Sequence, residues 1–179
     1  MSKAKDDRFV PLAEVMRPHG VRGELRLKVF NAESDLLLDQ AEVFVREKDG
    51  AEHEVSVDKA RRADAAILLK LHSVDDRDRA EELRGAIIGL RRSQFPPAEE
   101  GAFYACDIEG AKVVVREGDG VREIGSVRSL TSYPSVDVLV VHAADGGKDW
   151  EIPLVEGYVA GVDVDAGVVT LHTLDDLER

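Results

Sequence analysis

The segment spanning residues 17–30 constrains the fold more than any other part of the chain, because a stiff turn runs directly into a strict two-residue alternation. Across residues 21–29 the odd positions hold Val, Gly, Leu, Leu and Val, whereas every even position holds a charged side chain. This period predicts an antiparallel strand with one buried face and one charged face. Pro18 fixes a backbone angle on the way into the turn, and Gly20 and Gly23 allow conformations that a side chain resists.

The turn also presents basic side chains from this stiff support, namely Arg17, His19 and Arg22. Taken alone, two glycines three residues apart before a strand favour a tight hairpin with no further role. Two such glycines also occur in the KH loop of RNA-binding proteins, but that loop joins two helices, whereas this turn opens a strand. We therefore reject the KH interpretation and keep the turn as a candidate contact for RNA.

The net charge of −12 is distributed unevenly along the chain. Residues 1–97 contain 18 Lys and Arg against 19 Asp and Glu, whereas residues 98–179 contain 6 against 17. The acidic half would be repelled by RNA phosphates and attracted to a basic protein, so the two halves together suit a partner made of RNA and basic protein. An acidic surface that only aids solubility is the alternative.

The strand and turn signals predict a mainly β first half. Besides the strand at 21–29, apolar runs bounded by turn residues predict further strands, and a capped pattern with Gly85 at its end predicts one helix. A short basic cluster, Lys59 with Arg61 and Arg62, favours a solvated strand end over a phosphate contact. The predicted strands lie at 9–15, 42–46, 54–60, 65–71 and 86–90, and the helix lies at 73–85.

The second half repeats short strands between glycine turns and contains no long helix. Its predicted strands lie at 112–116, 123–130, 136–142, 149–154, 158–162 and 168–171. We therefore predict an all-β protein of two small β-barrel domains joined by a short, proline-containing linker. The predicted boundaries are 1–92 for the first barrel, 93–101 for the linker and 102–179 for the second barrel.

Composition narrows the remaining possibilities. A single cysteine, Cys106, rules out an internal disulfide, and the cysteine sets of zinc ribbons are absent from the sequence. The N-terminus lacks an apolar signal core and no apolar run is long enough to cross a bilayer, so we expect a cytoplasmic protein that does not contact membranes. We also expect a monomer.

Enzymatic chemistry finds little support in the sequence. The five histidines show no metal-binding spacing, no glycine-rich phosphate loop follows a strand, and Cys106 has no histidine nearby in sequence, although His142 could approach it in space. We predict no catalytic residue, no metal and no cofactor. The alternative is a flavin- or nicotinamide-dependent reductase with a reductase-like barrel.

Several fragments, taken in chain order, resemble the RimM family of bacterial ribosome maturation factors. His19-Gly-Val-Arg-Gly-Glu24 before an alternating strand is similar to the family's opening, and Phe103-Tyr-Ala-Cys-Asp-Ile-Glu-Gly110 resembles the start of its C-terminal PRC barrel. The segments 125–127, 137–141 and 151–153 continue that pattern. The chain departs from it where Phe103 stands in place of a usual tyrosine and where residues 133–137 replace a usual Gly-Ala-x-Asp loop.

The resemblance implies a non-enzymatic chaperone of ribosome assembly. Such a protein would bind the free small (30S) subunit and assist late maturation of its head and 16S rRNA processing, through the basic head protein numbered nineteen and with contact to precursor rRNA. The implied RNA- or ribosome-binding residues are Arg17, His19, Gly20, Arg22 and Gly23. Phe103, Tyr104 and Asp107 are the implied ribosomal-protein contacts, although Phe103 and Tyr104 could instead fill a core and Asp107 could cap its own turn.

Overall fold

The computed structural model describes residues 7–177, which form two compact units that divide after Pro96. The N-terminal unit is a closed, six-stranded barrel. Its strands run in the order β1-β2-β5-β4-β3-β6 around the barrel, and a short helix, α1, precedes β6. The elements are β1 (Phe9–His19), β2 (Glu24–Val29), β3 (Glu42–Arg46), β4 (Glu52–Ala63), β5 (Ala66–Leu71), α1 (Arg77–Glu82) and β6 (Ile87–Arg91).

Aliphatic side chains fill the interior of the barrel, as the scarcity of aromatic residues predicts. Alternate residues of β2 and β5 face inward, and their side chains are fully enclosed. The largest of the inward-facing enclosed side chains are Leu25, Leu27, Ile67, Leu69, Leu71, Ile88 and Leu90. Each of them contributes roughly 1.5–3 kcal/mol by leaving water, which makes this core the main stabilising element of the unit.

A β-bulge at Met16 reverses the two faces of β1. Before the bulge Val15 pairs with Leu27 and is buried, and after it Arg17 pairs with Arg26 while Met16 has no partner on β2. In a regular strand Arg17 would face the core, because it follows Val15 by two residues. The extra residue instead turns Arg17 outward and Pro18 inward, opposite the enclosed Leu25.

The turn between β1 and β2 packs against the segment that precedes α1. Gly23 has a φ of +75°, and a Cβ atom there would lie 1.8 Å from the carbonyl oxygen of Val74. The ammonium group of Lys70 holds the same segment, because it donates to the carbonyl oxygens of Val74 and Leu71 and pairs with Asp75 at 2.9 Å. The stiffness of the turn therefore depends on this close backbone contact as well as on its glycines.

An arginine and glutamate cluster covers the outside of the barrel between β4 and β6. Glu52 pairs with Arg46 at 2.6 Å and with Arg91 at 3.1 Å. Each guanidinium also lies over an aromatic ring, Arg46 at 4.0 Å from the centre of Phe9 and Arg91 at 4.4 Å from the centre of Phe44. The hydrogen bond from Arg46, with the charges of both arginines, holds the pKa of Glu52 below its usual range.

The C-terminal unit is a single, curled sheet of six strands in the order β10-β9-β8-β7-β12-β11. Among residues 97–177 its elements are α2 (Ala105–Ile108), β7 (Lys112–Glu117), β8 (Gly120–Ser132), β9 (Asp137–Ala143), β10 (Trp150–Pro153), β11 (Val159–Asp163) and β12 (Val168–Leu171). The parallel pair β7 and β12 joins the two hairpin sets. One cluster of enclosed side chains, including Ile108, Leu139, Ile152 and Leu171, forms the hydrophobic core of the unit.

The predicted mainly β fold class is confirmed, with several local differences. The sheet of the C-terminal unit curls but stays open. Its end strands, β10 and β11, each have one hydrogen-bonded neighbour within the described part of the chain. Val21, expected on the buried face of a strand, lies in the turn and is 74% exposed. The helix is shorter than predicted, since Asp76 caps its first turn by accepting a hydrogen bond from the Arg79 amide.

The predicted domain boundaries at 92, 93 and 101 stay a prediction. The first residues of the predicted linker have regular structure and hydrogen bonds to the barrel. Arg92–Gln94 form one turn of 3₁₀ helix directly after β6. The Gln94 side chain accepts a hydrogen bond from the Arg91 amide at 2.7 Å and donates one to the carbonyl of Glu42 at 3.4 Å. The first residues of the predicted linker are thus attached to the barrel.

Replacing Gly23 by Ala should destabilise the N-terminal unit more than replacing Gly20 by Ala. Gly20→Ala costs about 1–2 kcal/mol of the free energy of unfolding, because its φ of +67° disfavours a side chain while the space around it is open. Gly23→Ala costs about 1–3 kcal/mol more, because the Val74 backbone must move. Hydrogen exchange of the Leu27 and Leu69 amides measures both losses. Equal losses would contradict the contact.

Replacing Glu52 by Gln should lower the stability of the barrel in a pH-dependent way. A lowered carboxyl pKa in the folded state stabilises the protein above the ordinary glutamate pKa, and this contribution is lost as the pH falls through the folded-state value. The variant should therefore be less stable at pH 7 and should approach the wild type below about pH 4. Hydrogen exchange at several pH values tests this. Glu54→Gln, on the same strand and face, is the matched control, and a pH-independent difference would contradict the prediction.

Candidate functional site

The outer face of β1 and β2 carries cationic side chains that form no ion pair within residues 7–177. Arg17, Arg26 and Lys28 project from this face, Arg22 is exposed in the turn, and Lys59 lies on the outer face of β4. None of these five side chains forms an ion pair with any residue between 7 and 177, although Glu14 of β1 lies opposite Lys28. This group, which we call the cationic face, therefore keeps its charge available to an anion from outside the protein.

Other cations of the barrel are already paired, which distinguishes them from the cationic face. Arg61 pairs with Glu24 at 3.2 Å. Arg62 pairs with Asp35 and donates to the carbonyl oxygens of Ala32 and Ser34, so it fastens the loop after β2. The predicted basic cluster at 59–62 thus divides into two structural arginines and one unpaired lysine.

The structure places the predicted turn residues on one hairpin with different exposures. Arg17 and Arg22 are exposed, and His19 is half-buried opposite Glu24 at the end of the strand pair. Gly20 is exposed and has open space around it, whereas Gly23 is buried against Val74. The two arginines are therefore available for contact, while the glycines shape the support.

The predicted protein-contact residues of the C-terminal unit lie around α2 and are all half-buried. Phe103 packs against the hydrophobic cluster of the unit. The Asp107 carboxylate accepts a hydrogen bond from the Tyr104 amide at 3.3 Å, so Asp107 caps its own turn. Of the two alternatives for the aromatic pair, a core position fits Phe103, which packs in the hydrophobic cluster. Tyr104 lies next to it in the chain and stays partly exposed, as a protein contact requires.

Acidic side chains cover much of the C-terminal unit. Three of them are neutralised by neighbouring cations: Glu117 by Arg122, Glu123 by Lys112, and Asp149 by Arg128. Hydrogen bonds from Arg128 and then His142 lower the pKa of Asp149. Further acidic residues are exposed near β10, β11 and the chain end, namely Glu151, Glu156, Asp163, Asp165, Asp175 and Asp176. The unit therefore presents a negative surface.

Catalytic and metal-binding arrangements do not emerge from the described residues. No group of three His, Cys, Asp or Glu side chains within 7–177 could hold a metal ion. His142, considered above as a possible partner of Cys106, instead pairs with Asp149 at 3.1 Å, and Cys106 is buried in α2. No helix in this range is long and apolar enough to span a membrane.

Comparisons with known proteins decide the family. The family model for the RimM N-terminal domain matches residues 10–95. The ribosome maturation factor RimM of Sorangium cellulosum is 48% identical over 170 residues, which cover 95% of this chain and 98% of that protein. The chain belongs to the RimM family. The RimM of Geobacter metallireducens is 33% identical over 169 residues, covering 94% of this chain and 95% of its own.

A crystal structure of a RimM protein from Pseudomonas aeruginosa also matches, with 25% identity, a TM-score of 0.47, and coverage of 93% of this chain and 98% of its own. The sequence-based prediction of the RimM family is confirmed by the two relatives. The family comprises ribosome maturation factors and not enzymes, so the prediction of a non-enzymatic protein is confirmed and the reductase alternative falls.

Sequence reasoning missed Arg26 and Lys28 as members of the cationic face. Both were assigned to the charged side of a strand, which is correct but does not single them out. The missing information was the bulge at Met16, which turns Arg17 toward Arg26. The one signal in the sequence was the order of residues 15–18. Regular alternation from Val15 would bury Arg17 and expose Pro18, so a change of face after Val15 is needed to bury the apolar residue.

Proposed function

We propose that this chain is a chaperone of ribosome assembly that binds the free small (30S) subunit in the cytoplasm and acts as a monomer. In this proposal it assists late maturation of the subunit head and 16S rRNA processing without cutting RNA itself. The family assignment supports the general role. The observation that carries the specific proposal is the division of charge, with an unpaired cationic face on one unit and an acidic surface on the other.

The N-terminal unit is the proposed RNA-facing part. Arg17 and Arg22 are exposed on a hairpin whose backbone is fixed by the Gly23 contact, and neither forms an ion pair with a described residue. Arginines of this kind position a protein on RNA through phosphate oxygens and read no sequence. His19 at the end of the strand pair, with Gly20 and Gly23 in the turn, completes the proposed RNA- or ribosome-binding set.

The C-terminal unit is the proposed contact for the basic head protein numbered nineteen. Ribosomal proteins carry many cations, and the exposed acidic residues of this unit would attract such a protein and keep it from premature contact with RNA. Phe103 and Tyr104 would supply the apolar anchor beside the acidic surface, since a half-buried aromatic pair offers a large contact area with little loss of side-chain entropy. Asp107 supports this pair by fixing the turn at Tyr104.

Replacing Arg22 by Glu should weaken binding to purified small subunits about tenfold, because a phosphate contact becomes a repulsion. The slope of the logarithm of affinity against the logarithm of salt concentration should fall by about one. Sedimentation at several salt concentrations measures both quantities. Lys148→Glu, which makes the same charge change in the C-terminal unit, is the matched control. An unchanged salt slope for the Arg22 variant would contradict the RNA-facing assignment.

Replacing Tyr104 by Ala should weaken binding to the isolated head protein by about 2 kcal/mol, because the variant loses a central aromatic anchor. Titration calorimetry with the two purified proteins measures the loss. Tyr133→Ala is the control, since Tyr133 is 53% exposed in a loop outside the proposed contact. Equal effects of the two substitutions, with both variants folded by thermal denaturation, would show that Tyr104 is not an anchor.

A further inference from the structure

Arg17 and Arg26 face each other across β1 and β2 as a pair of like charges. Residues directly opposite in an antiparallel pair have Cα atoms about 4.5–5.5 Å apart, so the exposed Arg17 and the half-buried Arg26 leave the outer face from neighbouring points and can reach the same anion. Like charges at this position destabilise a sheet. The bulge at Met16 creates this unfavourable pairing, because a regular β1 would direct Arg17 away from the outer face.

No residue between 7 and 177 forms an ion pair with either arginine, although Glu14 lies on the same outer face of β1, opposite Lys28. Glu24, the nearest acidic residue along β2, is engaged by Arg61 from the opposite side at 3.2 Å. The cross-strand pair of Lys59 and Lys70 also places like charges opposite each other, but its repulsion is relieved. The Lys70 ammonium group pairs with Asp75 and donates to two carbonyl oxygens. Neither Arg17 nor Arg26 has such an outlet among residues 7–177.

We propose that Arg17 and Arg26 together hold one phosphate group of the RNA backbone between their guanidinium groups. A phosphate has several acceptor oxygens and at least one negative charge, so it can accept from both arginines at once and cancel their repulsion. The proposal rests on the proposed function for the source of the phosphate. It adds Arg26 to the binding residues and assigns the bulge a role, which is to build a two-arginine phosphate site.

The site predicts non-additive losses of binding. Arg17→Gln and Arg26→Gln should each weaken binding to purified small subunits about tenfold and lower the salt slope by about 0.7–0.9. The double variant should bind the subunit about as tightly as the weaker-binding of the two single variants, because both arginines contact one phosphate. Lys148→Gln is the matched control, since it makes the same charge change at an exposed lysine of the C-terminal unit that also lacks an ion pair among residues 7–177. Thermal denaturation should show no loss of stability in either arginine variant.

An independent measurement uses inorganic phosphate and the full chain without ribosomes. Nuclear magnetic resonance of the arginine Nε–H groups should show the Arg17 and Arg26 signals shifting together with one saturation curve as millimolar phosphate is added. In the Arg26→Gln variant the Arg17 signal should no longer respond. A wild-type Arg17 signal that ignores phosphate, or one that responds equally in the variant, would overturn the two-arginine site.

The two arms separate this inference from the proposed function. If Arg22→Glu weakens subunit binding while Arg26→Gln behaves like Lys148→Gln, the pair is wrong and the proposed function stands. Losses that multiply in the double variant would also overturn the shared phosphate. If the wild type fails to bind the subunit, the proposed function and the RNA source of the phosphate are both wrong, and the phosphate titration then decides the pair by itself.

Discussion

The single extra residue at Met16 determines what the barrel presents to its surroundings. It reverses the faces of β1, so that Pro18 joins the core opposite Leu25 and Arg17 leaves it for the outer surface. The closed barrel requires a continuous apolar interior, and a guanidinium in that interior would carry a large desolvation cost. The bulge therefore serves the core and the surface at the same time. The bulge also sets the direction in which the chain enters the following turn, and the contact of Gly23 with Val74 then holds that turn in place.

Charge is treated differently on the two sides of the same barrel. Between β4 and β6, Glu52 neutralises Arg46 and Arg91, and two phenylalanine rings lie beneath the guanidinium groups. On β1 and β2 the arginines form neither an ion pair nor a ring contact with any residue of the described range 7–177. Arginines of the first kind stabilise the fold, whereas arginines of the second kind reduce stability slightly and are available to a ligand. The contrast identifies the cationic face more sharply than net charge does, since the first 97 residues are nearly neutral.

The sequence predicted the mainly β class and most strands because two-residue alternation and glycine turns are local signals. The strands at 42–46 and 168–171 match the predicted bounds. The bulge was missed, because it depends on which residues oppose each other across strands and not on the pattern along one strand. The pairing of Arg61 with Glu24, 37 residues apart, was missed for the same reason. The open sheet of the C-terminal unit was not foreseen, since strand number alone does not determine closure.

The open sheet has a consequence for self-association. Strands with one hydrogen-bonded neighbour offer main-chain groups to any extended chain, including a second copy of the protein. β10 carries Glu151 and ends at Pro153, and β11 ends at Asp163, so a second copy docking edge to edge would set carboxylates near carboxylates. The acidic residues that would attract a basic partner protein therefore also oppose edge-to-edge aggregation. An extended segment rich in lysine and arginine would not meet this repulsion between carboxylates.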